Sequence, residues 1–174
     1  MSRKMYPAMP FALLALSGCA TVSPEVKSLA RAEIVTAAGN PAGQATITTH
    51  ANMVTLTVQA RGLTPGAHGM HLHAQGNCSG SGFTAAGGHL NPAMHQHGSL
   101  NPAGAHLGDL PNLMIARDGA GAATVMLPGD WSTIEPALFD ADGTAIVIHA
   151  GPDDYKTDPS GNSGARVACG AFHK

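Results

Sequence analysis

Charge is scarce in this chain: Asp, Glu, Lys and Arg together make up 11% of its 174 residues, against about 25% in an ordinary soluble protein. A helical bundle needs far more Glu, Lys, Arg and Leu, so that class is excluded. No sign of charge dominates either, with 9 Lys and Arg against 11 Asp and Glu. Without a basic field, nucleic acid is not a partner. Long apolar runs are also missing. The longest, Met5 to Leu16, is interrupted by Pro7 and Pro10 and is too short for a membrane-spanning helix, which needs about 20 residues. Cysteine is limited to three, and there is no internal repeat. Hydrophobic residues nonetheless reach 44%, enough for the buried core of one domain.

What the chain has instead is glycine, proline and histidine. Its 22 Gly and 12 Pro punctuate the sequence into many short strands and turns. Of its 10 His, seven lie between His68 and His106. Histidine is the commonest metal ligand among side chains.

The start of the chain reads as an address. Arg3 and Lys4 precede the apolar stretch, and Leu16-Ser17-Gly18-Cys19 follows. This is the plan of a secretory signal, and Leu-Ser-Gly-Cys resembles the bacterial lipobox, in which the Cys is acylated and becomes the new N-terminus. The reading assigns 1–18 as signal peptide, 19–30 as a tether lipid-anchored through Cys19, and 31–174 as the domain. An odd cysteine count is unusual for an exported chain. If Cys19 carries lipid, Cys78 and Cys169 remain, in a compartment where disulfides persist. Loss of Arg3 and Lys4 leaves seven cations against 11 acidic residues, a net charge of −4.

Alternation predicts strands over Ala32 to Thr36, Ala45 to His50 and Met53 to Gln59, with turns at Asn40-Pro41-Ala42-Gly43 and Ala51-Asn52. Further strands are expected at Met70 to Ala74, Leu113 to Ala116, Ala122 to Leu127, Ala145 to Ala150 and Val167 to Phe172. Two long stretches, Gln75 to Pro111 and Gly151 to Gly164, read as loops. Loops of that length are usually functional and need an anchor; metal and disulfide are the available ones.

The histidines suggest which. His71 and His73 share a face of one strand, about 7 Å apart along it. His89, His97, His106 and Asp109 supply three imidazoles and a carboxylate, a set zinc accepts. His149 ends an otherwise apolar strand, where an unpaired imidazole would be costly. Adding it to His71 and His73 gives three imidazoles, and His89 would make four nitrogens of the kind Cu(II) takes. Spacing alone assigns neither the copper nor a bridging role for His89. His68 suits a ligand position or a hydrogen bond that holds the loop, and His95 competes with His97.

At this point a family resemblance emerges. Gly66-Ala67-His68-Gly69-Met70-His71-Leu72-His73 resembles the Gly-x-His-Gly-x-His-x-His signature of copper–zinc superoxide dismutases. Gly88-His89-Leu90-Asn91-Pro92, His97-Gly98, His106-Leu107-Gly108-Asp109-Leu110, His149 and Gly164-Ala165-Arg166-Val167-Ala168-Cys169-Gly170 resemble its later motifs, in order.

The resemblance implies an all-β Greek-key barrel or sandwich of about eight antiparallel strands, with one copper and one zinc per chain. It implies His71, His73, His89 and His149 on copper; His89, His97, His106 and Asp109 on zinc, with His89 bridging; a Cys78–Cys169 disulfide; Asp153 as a carboxylate behind the ligands; and Arg166 beside the open copper face. The implied activity is dismutation of two superoxide anions to dioxygen and hydrogen peroxide, with copper cycling between Cu(II) and Cu(I), His89 carrying a proton and zinc structural. His50, His95 and His173 match no ligand position.

Met70 replaces the usual aromatic, the stretch Ser79 to Gly87 has no cation, and Lys156 is the only one in the second loop. Electrostatic steering of an anion is therefore expected to be weak. A non-catalytic metal-binding domain on the same fold is the alternative; a purely structural sandwich leaves the histidines unexplained. The expected location is the periplasmic side of a bacterial envelope, with the lipid at Cys19 as the only membrane contact. A homodimer is compatible with the sequence, but no residue in it calls for one.

Overall fold

The computed structural model describes residue 1 and residues 25–174; Cys19 and, apart from residue 1, the stretch read as a signal lie outside the described residues. Among the described residues nine strands, β1 (Lys27–Thr36), β2 (Pro41–His50), β3 (Met53–Ala60), β4 (Gly66–His68), β5 (Met70–His73), β6 (Leu113–Ile115), β7 (Gly121–Asp130), β8 (Ala145–His149) and β9 (Arg166–Ala171), form two antiparallel sheets. Seven strands run in the order β5-β8-β9-β1-β2-β3-β7, and β4 pairs with β6. The strand neighbours β5-β8 and β1-β9 are far apart in sequence, so the chain crosses over as a Greek key does.

Sequence pattern explains most of this. In β3, Val54, Leu56, Val58 and Ala60 are buried while their neighbours are half-buried or exposed, the period of two. Ala51 and Asn52 both take positive φ, 48° and 70°, as a two-residue hairpin turn requires. β8 is buried at all five positions because it is covered on both sides. Ile146 and Ile148 join the main core with Ile34, Ile47, Leu56 and Leu72. Ala145 and Val147 pack under Phe83, Ala86 and Cys169.

Several boundaries differ from the sequence expectation. β1 begins at Lys27, inside the segment read as tether, because Ala30 already packs in the core. The first turn falls before Pro41, closed by Thr36 N–H on Asn40 O at 2.9 Å, and Pro41 opens β2 instead. Residues Ser81–Ala86 form a 3₁₀ turn within the first loop. The helix α1 (Trp131–Leu138) was not foreseen; Asp130 caps it by accepting from Thr133 N–H at 3.0 Å, while Pro136 masks its pattern. No helix among the described residues is long and apolar enough to cross a membrane.

Candidate metal centre

The strand β5 lies at one edge of the large sheet and splits its side chains between two worlds. Met70 and Leu72 enter the core, while His71 and His73 face the first loop. The loop runs back along the free edge of β5: Leu72 N–H donates to Gly108 O at 2.9 Å and Leu90 N–H to Leu72 O at 2.8 Å. These bonds set His89 opposite His73 and Asp109 opposite His71. His149, at the end of the neighbouring β8, closes the group.

The donor atoms gather in two adjoining cradles. One ligand atom each from His71, His73, His89 and His149 lie within 4.8 Å of one another; so do one each from His89, His97, His106 and Asp109. His71, His73, His97, His106 and His149 are all buried.

Tautomers test whether a cation fits. His71 Nε2 donates to Asp153 Oδ2 at 2.8 Å, His73 Nδ1 to Gly87 O at 2.9 Å and His149 Nδ1 to Gly164 O at 3.1 Å. Carbonyls and carboxylates only accept, so each ring spends its single N–H outward. The opposite nitrogens, His71 Nδ1, His73 Nε2 and His149 Nε2, then carry lone pairs, and with His89 Nε2 they are buried without a hydrogen-bond partner. Buried orphan nitrogens are costly, and four aimed at one point fit a cation that takes nitrogen.

The second cradle repeats the logic. His97 Nε2 donates to Asp153 Oδ1 at 3.0 Å and His106 Nε2 to His95 O at 3.2 Å. Their Nδ1 atoms, with that of His89, stand 2.9 to 3.1 Å from the single oxygen Asp109 Oδ1. The His97 and His106 lone pairs repel that carboxylate oxygen unless a positive charge lies among them, whereas the neutral His89, with its lone pair on Nε2, donates its Nδ1 proton to it. His89 alone faces both cradles, Nδ1 to one and Nε2 to the other.

Burial sets the electrostatics. It lowers His73 to about 2 and His71 and His149 to about 4, and pushes His89 down as well, so the rings stay neutral and able to ligate. Burial alone would raise Asp109, but hydrogen bonds from His89 and from the Gly98 and His106 N–H groups outweigh it and hold the carboxylate well below its usual range. Asp153 is likewise held low: burial acts to raise it, and donation from His71 and His97 overrides that. Gly161 lies against this bridge at φ +65°, and a Cβ there would overlap Asp153 Oδ1 and His97 Nε2.

The four-histidine cradle opens into a cleft of about 480 Å³ lined by His73, His89, His149, Asp158 and Arg166 among others. Arg166 pairs with His149 across β8 and β9. Its Nη1 donates to Phe83 O at 2.8 Å and its Nη2 to Gly87 O at 2.6 Å, the latter shared with His73. Cys78 and Cys169 form a disulfide with Cα atoms 5.7 Å apart, pinning that loop to β9.

The remaining histidines separate from the cradles. His68 donates to His149 O at 2.6 Å and approaches Thr64 O at 2.8 Å, so it braces the loop and ligates nothing. His95 is exposed, with Nδ1 on Ala105 O at 3.0 Å, and His97 takes the buried position. His50 and His173 are exposed. Sequence reasoning missed Asn112 and Tyr155, which hold Asp153 from behind.

Fold and site together define an antiparallel β-barrel protein with two adjoining cation cradles that share one imidazole. The family described as copper/zinc superoxide dismutase (SODC) matches residues 41–172. A Cu-Zn superoxide dismutase of Caulobacter vibrioides is 46% identical over 138 residues, 77% of this chain and 79% of the relative. Superoxide dismutase [Cu-Zn] 2 of Aquifex aeolicus is 39% identical over 175 residues, 98% and 99% of the two. The solved structure of a SOD-like protein from Bacillus subtilis superposes with a TM-score of 0.76 at 36% identity, covering 83% of this chain and 98% of that one. The chain belongs to the copper/zinc superoxide dismutase family.

Proposed function

We propose that this chain removes superoxide, converting two superoxide anions and two protons to dioxygen and hydrogen peroxide. The observation that carries the reading is the set of four orphaned imidazole nitrogens, on His71, His73, His89 and His149, beside a three-histidine, one-aspartate set that shares His89. The first set is assigned to copper and the second, with His97, His106 and Asp109, to zinc. When bound, copper supplies reversible one-electron transfer and zinc a fixed positive charge on the shared ring.

The chain's residues do the rest. Outward donation by His71, His73 and His149 fixes their lone pairs inward, so the cradle is shaped before anything binds. Asp153 ties His71 to His97 and keeps the two cradles in register. His89 Nε2, at the floor of the cleft, is the atom at which the chain holds a proton and hands it to the reduced product. Arg166 spends two of its donors on carbonyls and keeps others for an anion in the cleft. The cleft admits a diatomic anion, and its other wall carries the acidic Asp158.

The rest of the assignment follows from the N-terminus: residues 1–18 as an export signal, Cys19 acylated, a short tether to β1, and the domain held on the periplasmic side of a bacterial envelope. The Cys78–Cys169 disulfide suits an oxidising compartment.

Metal analysis joined to a superoxide assay tests the function. The protein is expected to hold one copper and one zinc per chain and to consume superoxide. His149→Ala should abolish turnover and impair copper while zinc stays; Asp109→Ala should lose zinc and keep copper. Zinc unaffected by loss of Asp109 would overturn the zinc assignment.

A further inference from the structure

Tyr155 follows the paired aspartates of the second loop, and its residue type does not mark it for a metal centre. Its backbone sits at φ +61°, a left-handed conformation that is rare for a bulky residue. Glycine or asparagine would make that turn at lower cost, so the choice of tyrosine points to its side chain.

Three contacts radiate from it. Its N–H donates to Asp153 Oδ1 at 2.6 Å. Its carbonyl accepts from Leu100 N–H, in the first loop, at 2.9 Å. Gly98 packs so close to that carbonyl that a Cβ would overlap it. Its hydroxyl accepts from Asn112 N–H at 2.7 Å. Asn112 in turn brackets Asp153: its Nδ2 donates to Asp153 O at 2.9 Å, and its Oδ1 accepts from Asp153 N–H at 2.8 Å.

These contacts close a circuit. Asp153 reaches His71 and His97, and His97 Nδ1 meets Asp109. From Asp109 the chain runs through Leu110 and Pro111 to Asn112, which returns to Asp153 directly and through Tyr155. We propose that Tyr155 is a positioning residue for the metal centre: it locks the second loop to the first and so fixes the Asp153 carboxylate that orients His97 and His71. The proposal rests on the reading of His89, His97, His106 and Asp109 as the zinc holder. Loss of the hydroxyl strands the Asn112 N–H, loosens the bracket on Asp153 and frees the His97 ring. The tyrosine ring itself borders a recess with Leu110, Pro111, Val125 and Leu127, so phenylalanine fills the same space.

The test measures zinc affinity of the copper-free, disulfide-intact chain by chelator competition, with the visible absorption of Co(II) in place of zinc as a readout of geometry. Removing a group behind a metal ligand typically weakens binding 10- to 100-fold. Tyr155→Phe is expected to weaken zinc by about tenfold and to alter the Co(II) bands. Asn112→Ala should do at least as much. In an Asp153→Asn background, Tyr155→Phe should add nothing further, because the two act through one carboxylate. An unchanged affinity and Co(II) spectrum in Tyr155→Phe overturns the proposal, even if the metal-free protein melts earlier, and so does an equal loss in both backgrounds. A wild-type chain that binds no zinc would overturn the zinc reading itself.

Discussion

Arg166 gives one donor to Phe83 O and one to Gly87 O, which holds the guanidinium at the rim of the cleft. Burial lowers its proton affinity, yet an arginine stays charged at any working pH. Charge-assisted hydrogen bonds are worth roughly 1.5–3 kcal/mol, so Arg166→Ala should slow superoxide turnover by about 10- to 100-fold with both metals retained. Steady-state rates on the folded, metal-replete variant check this; activity within about twofold of wild type would leave Arg166 as a brace only. The histidines make a second expectation at this scale. In the unfolded chain they take up protons as pH falls through the ordinary 6.5, whereas the folded His71 and His149 stay neutral to about 4 and His73 to about 2. The unfolded state then binds more protons, so stability rises with pH across that window. Melting of the metal-free, disulfide-intact protein should therefore shift steadily downward as pH is lowered from 6.5 towards 4. A flat profile over that range would contradict the buried, neutral rings.

Among the elements, the first loop depends most on anchors outside regular structure. It is fastened by the backbone bonds to β5, by the cradle residues and by the Cys78–Cys169 disulfide. The disulfide closes a separation of 91 residues, for which chain entropy gives ~4.6 kcal/mol. Reduction should lower the melting temperature strongly and loosen the Phe83 and Gly87 carbonyls that hold Arg166, which thermal melts with and without reductant will measure. An unchanged melt on reduction would contradict this anchoring. The strands were legible because their pattern is local: alternation marked β3, and the His71-Leu72-His73 spacing marked β5, which carries two of the site histidines. The helix α1 was not, because it runs through Pro136, a residue that argues against a helix in a sequence, and only Ile134 and Leu138 of it are buried. Asn112 and Tyr155 were invisible for another reason. Their work is done by side-chain-to-backbone contacts between segments about forty residues apart, such as the Tyr155 hydroxyl on Asn112 N–H, and no periodicity records such a contact. His68 left two readings open in the sequence; its bond to His149 O resolves them.

Over the whole molecule, the acidic balance of the chain, 11 Asp and Glu against 9 Lys and Arg, leaves Arg166 as the only cation lining the cleft among the described residues. Capture of an anion then rests on short-range contacts more than on a long-range field, and a shallow dependence of rate on ionic strength is the consequence. The lipid reading of the N-terminus carries its own test: Cys19→Ser should shift the protein from the membrane fraction to the soluble one or leave it unprocessed, and a soluble native protein with unmodified Cys19 would refute it. The central claim, that this barrel holds its two cradles for superoxide removal, is met most directly by following the absorbance of a pulse of superoxide in the presence of the protein carrying one copper and one zinc. The expected result is decay that is first order in superoxide, with a rate proportional to protein concentration, giving dioxygen and hydrogen peroxide in equal amounts. Decay no faster than in buffer, with both metals bound, would contradict it.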